Sequence, residues 1–161
     1  MRELTFTKRL KAYFSSEDTR NFSVLDFVGT FGSPLIALAY AKLFWPDFVE
    51  FKGMIFVGDN FDRETKDRID AILHSSEAER EDFSGIEKSF NFFEVPSYFF
   101  GRHAGDTNEE EDRYLAEKLA EMWKCKLSMD FPERSFVIKL IEPEESGGEI
   151  ALMFYQDEGY R

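Results

Sequence analysis

The most regular pattern lies near the C-terminal end of the chain. Phe136, Ile138 and Leu140 alternate with Val137, Lys139 and Ile141, and Ile150, Leu152 and Phe154 alternate with Ala151, Met153 and Tyr155. A period of two marks strands with one buried face. Between the two runs lies Glu142-Pro143-Glu144-Glu145-Ser146-Gly147-Gly148, which is rich in turn formers. An antiparallel hairpin over about 135–156 is therefore predicted. A second β segment, Asp47 to Gly58, is aromatic and β-branched and is bounded by Pro46. It reads as two short strands around Lys52-Gly53, or as one strand bulged at Gly53.

Helical spacing appears elsewhere. Ser33 is a natural N-cap and Pro34 suits the first helical position. From Leu35 to Trp45 the residues are apolar nearly all round, with Lys42 the only charge. That pattern predicts a buried core helix over about 34–45, stopped by Pro46. A long helix over about 108–127 follows from the stripe Leu115, Leu119, Met122 and Trp123. Asp106, Thr107 and Asn108 are each followed three residues later by Glu, so each is a candidate N-cap. Asp62 to Leu73 reads as a charged helix capped by Asp62, with Ile69, Ile72 and Leu73 inward. Ser84-x-x-Glu87 reads as a capping box that opens a short helix toward Phe90. A further short helix is expected over Thr7 to Phe14. The stretch 90–100 carries five Phe and one Tyr, but Pro96 forbids a central strand, which leaves an aromatic loop or edge piece. Helices interspersed with hairpins, without repeats or linkers, indicate one α+β domain over 1–161.

Composition narrows the function classes. The chain has 161 residues and a formal charge of −12. Such acidity argues against binding a nucleic-acid backbone or an anionic lipid surface. A single Cys excludes an internal disulfide framework and a Cys-rich zinc module. No apolar run approaches the roughly 18 residues of a membrane span, and the start has no leader-like core, so a cytoplasmic protein without membrane association is expected. The charge is local: residues 1–58 carry +1, residues 59–112 carry −10 and residues 113–161 carry −3.

Candidate chemistry is sparse. Neither phosphate-binding glycine motif is present. Asp59-Asn60-Phe61-Asp62 fails as a calcium loop, because Phe61 and Glu64 stand where an acid or amide and a Gly belong. His74 ends a charged helix, where it suits the dipole. Cys125 reads as a partly buried structural thiol. No metal or cofactor is expected. The loop Gly101 to Asp106 supplies the one catalytic candidate set, with Arg102 to hold an anion, His103 as base and Asp106 beside it.

The aromatic and acidic stretches point elsewhere. Phe92, Phe93, Tyr98, Phe99 and Phe100, with Glu109, Glu110, Glu111 and Asp112, form a candidate binding surface with an apolar centre and a charged surround. The leading expectation is a non-enzymatic protein that binds a basic protein partner. In size and charge the chain is similar to small acidic neutralising proteins, such as immunity proteins against bacterial nuclease toxins; the likeness is compositional and covers no motif. The alternatives are a small enzyme or small-molecule binder using Arg102 and His103, and a homo-oligomer that buries its aromatic segment, so monomer and homodimer both stand open.

Overall fold

The computed structural model describes residues 23–75, 83–96 and 107–157. The helix expected over Thr7 to Phe14 lies outside them. The chain divides into two compact units, residues 1–42 and 43–161. Among the described residues there are six helices and two antiparallel sheets, an α+β fold.

In the first unit, α1 (Val24–Phe31) begins on a capping box: the Ser23 hydroxyl accepts from the Asp26 amide, and the Asp26 carboxylate accepts from the Ser23 amide. Gly29 and Gly32 obscure this helix in the sequence, and Ser23-x-x-Asp26 is its available signal. Next comes α2 (Pro34–Phe44), which begins where Ser33-Pro34 predicted. Its expected burial is overturned. None of its residues is buried, and Leu35 and Leu38 are 76% and 67% exposed. All-round apolarity makes a helix able to be buried, but burial also takes a second surface, which the pattern of one helix does not specify.

The second unit holds both sheets. β1 (Phe48–Phe51) and β2 (Met54–Val57) pair across Lys52 and Gly53, whose φ values are 52° and 85°. Two positive φ values fit a type I′ hairpin turn, so the bulge alternative falls. The chain then makes a 3-10 turn at Gly58–Asn60 and enters α3 (Arg63–His74), where Asp62 accepts from the Thr65 amide as its cap. α4 (Phe83–Phe90) leads into β3 (Phe92–Glu94). α5 (Glu109–Asp130) is capped by Asn108, in reciprocal hydrogen bonds with Glu111. β4 (Phe136–Ile141) and β5 (Ala151–Gln156) form the expected hairpin, and its loop contains the short helix α6 (Pro143–Ser146) ended by Gly147 at φ 79°. The order β3-β5-β4 puts β5 in the centre.

β2 is buried on both faces and divides the core. On one side Ile55 and Val57 join Trp123, Leu119 and Leu127 of α5 with Phe93, Leu152 and Phe154 of the three-stranded sheet. On the other, Met54 and Phe56 join Ile69 of α3 and Ile86 of α4. Trp123 is the hub of the first cluster. The rings of Phe48, Phe93 and Phe154 meet it nearly edge-on, with centroids 6.1, 5.3 and 5.9 Å away. Its indole N–H donates to the Leu43 carbonyl at 2.9 Å, so the polar tip is satisfied as well. The buried stripe of α5 is Ala116, Leu119, Trp123 and Leu127; Leu115 and Met122 sit at its margin.

Candidate functional site

Beyond the end of the three-stranded sheet, the first turn of α5 faces the loop of the β4–β5 hairpin. Between them is a cleft of about 200 Å³, lined by Pro96, Glu109, Asp112, Arg113, Pro143, Glu144, Gly148, Glu149 and Ile150. Four carboxylates and one guanidinium bound it. Arg113 is engaged in a bidentate pair with Glu142, both contacts at 2.5 Å. The guanidinium holds the Glu142 carboxyl below the usual carboxylate range, and Glu142 in turn raises Arg113. The Thr107 hydroxyl donates to Asp112 at 2.5 Å. The helix dipole favours the acids of the first turn of α5, which lets this acidity persist without strain. Pro96, Pro143 and Ile150 give the cleft apolar surface beside its charge.

The predicted surface is only partly assembled. Glu109 and Asp112 line the cleft. Glu110 is exposed beside them, but Glu111 is buried, with its carboxylate turned back to the Asn108 amide at 3.1 Å. Phe92 is exposed on β3, whereas Phe93 is buried against Trp123 and belongs to the core. The reason is strand alternation: neighbouring residues of β3 face opposite sides of the sheet. Tyr98, Phe99 and Phe100, with Arg102, His103 and Asp106, lie outside the described residues. Glu144 and Glu149, from the hairpin loop, were not singled out by the sequence; their signal was the run of acids between two strands.

A second arrangement was also missed. Glu87 does not form the expected capping box with Ser84, because both lie inside α4. Its carboxylate is fully buried and accepts three hydrogen bonds at 2.7 Å: from the Ile55 amide of β2, and from the amide and side-chain nitrogen of Gln156 on β5. One turn later Asn91, also fully buried, donates to the Ile55 carbonyl at 2.8 Å, and its own carbonyl accepts from Phe154. These two residues serve as ladder partners where β3 has not begun, and they tie the sheets together. Arg134 completes the joint through Glu50, the Gly53 carbonyl and Gln156. Burial pushes the Glu87 carboxyl up, against the opposing pull of its donors and of Arg134. All its contacts are internal, which marks a structural joint rather than a reactive acid.

The remaining candidates stand apart from the cleft. His74 ends α3, with Nδ1 2.6 Å from the Asp70 carbonyl. Cys125 is exposed, contrary to the partly buried thiol expected. Among the described residues, no group of three or more His, Cys, Asp or Glu is placed to hold a metal ion. No helix among them is long and apolar enough to cross a membrane. Comparison with family models, curated proteins and solved structures returned no match.

Proposed function

We propose that the chain is a non-enzymatic binding protein for a basic protein partner, and that the acid-lined cleft is its docking point. One observation supports this above the others: Glu109, Asp112, Glu144 and Glu149 surround apolar surface from Pro96, Pro143 and Ile150. A lysine or arginine side chain has the matching form, an aliphatic stem and a cationic head. A cleft walled by one sign of charge also raises the encounter rate with an oppositely charged partner. Pro96, from within the aromatic segment, and the acidic turn both line this cleft.

The test is affinity capture on the immobilised chain, with the retained protein identified and its binding measured against salt. A basic protein should be retained at low ionic strength, released by salt, and lost on the Glu109→Lys, Glu144→Lys double variant. Both side chains are exposed, so this variant should keep the fold. Equal binding by the charge-reversed variant would overturn the proposal.

A further inference from the structure

The three-stranded sheet has an open edge. β4 is an outer strand, and its register with β5 runs without interruption from Phe136↔Gln156 to Ile141↔Ala151. The hydrogen bonds of β5 fix which way the β4 backbone points. Phe154 and Gln156 send their amides away from β4, to Asn91 and Glu87. In an antiparallel pair the direction alternates, so Ala151, Met153 and Tyr155 face β4 and exchange bonds with Ile141, Lys139 and Val137. The amides and carbonyls of Phe136, Ile138 and Leu140 therefore point outward. Among the described residues no hydrogen bond reaches them.

Edges of this kind are normally blunted by Pro, a bulge or several charges. β4 has no Pro, an unbroken register and one Lys. Its side chains at 136, 138 and 140 are apolar and pack against the core while staying partly exposed, so the strand's free groups are those of its backbone. The strand also leads straight to the acidic cleft: Ile141 ends it, and Pro143 and Glu144 line the cleft. We infer that the partner's basic segment is taken up as an extended strand along β4, adding a fourth strand to the sheet and placing a cationic side chain in the cleft. This rests on the reading of the cleft given above. Backbone pairing supplies affinity, and the cleft supplies preference for basic sequences. Charge decides against a second copy as the occupant, since two chains of −12 repel each other while a basic segment is attracted.

The experiment is residue-resolved amide exchange on the intact chain, with and without a short synthetic peptide alternating valine and lysine, at low ionic strength. In the free chain the amides of Phe136, Ile138 and Leu140 exchange fast, while those of Val137, Lys139 and Ile141 are already protected. On binding, the first three slow by about tenfold or more and the others change little. The Glu109→Lys, Glu144→Lys variant should weaken this peptide by about tenfold or more. Binding without protection of the three outward amides overturns the added strand and leaves the cleft reading standing. No binding at all overturns both. Protection of the three amides in the free chain that grows with protein concentration overturns the inference in favour of self-pairing.

Discussion

Replacing Glu87 probes the joint between the sheets. In Glu87→Ala the amides of Ile55 and Gln156 lose their acceptor, and the Gln156 side-chain nitrogen keeps only the Gly53 carbonyl for its two N–H groups. Ile55 is fully buried and Gln156 partly so, which keeps water from substituting freely. At about 1–3 kcal/mol for each buried donor left unsatisfied, and with some return from removing a buried charge, the net cost is about 3 kcal/mol. Glu87→Gln should cost less near neutral pH, about 1–2 kcal/mol, because its amide oxygen keeps two donors while its nitrogen meets the third. The pH dependence separates charge from packing. Desolvation raises the Glu87 carboxyl in the folded chain, so the folded state holds this proton more tightly than the unfolded state. The stability it contributes is full below the unfolded value and is lost as pH rises through the higher folded one. Urea unfolding of wild type and Glu87→Gln, compared from pH 4.5 upward, should therefore show the wild-type advantage shrinking as pH rises. An advantage that grows instead would mean that the three donors and Arg134 outweigh burial, and would refute the reasoning.

Two other substitutions test neighbouring conclusions. Leu38→Gln should change stability by no more than about 0.5 kcal/mol in urea titrations, since the side chain is exposed, whereas a core leucine would cost about 2–5 kcal/mol. Asn108→Ala removes the acceptor for two amides at the start of α5 and should cost about 1 kcal/mol by the same assay; the same cost measured in a Glu111→Ala background would show that the two caps act independently.

Features set by neighbouring residues were legible in the sequence. The C-terminal hairpin and the cap Asp62 follow from residues within a few positions, which also narrow Lys52-Gly53 to a turn or a bulge and the α5 cap to three neighbours, Asn108 among them. The joint at Glu87 was not, because its partners Ile55 and Gln156 lie 32 and 69 residues away. A local capping pattern hid a long-range role. The same limit explains Phe92 and Phe93: both are aromatic, and only the pairing with Met153 and Leu152 decides which one faces the core. The burial expected for α2 failed for the complementary reason, since its own residues fix its polarity and not its company. Half of the cleft was visible as the acidic first turn of α5. The other half comes from the hairpin loop, which only the fold brings alongside.

The aromatic packing around the core also gives the protein two separate optical reporters. Trp123 is 2% exposed and held edge-on by three phenylalanines, while Trp45, just past the end of α2, is 38% exposed. A quencher dissolved in water reaches Trp45 and is shut out from Trp123. The emission that survives quenching then comes from the core alone, so unfolding of the core can be followed by its own light, without a label.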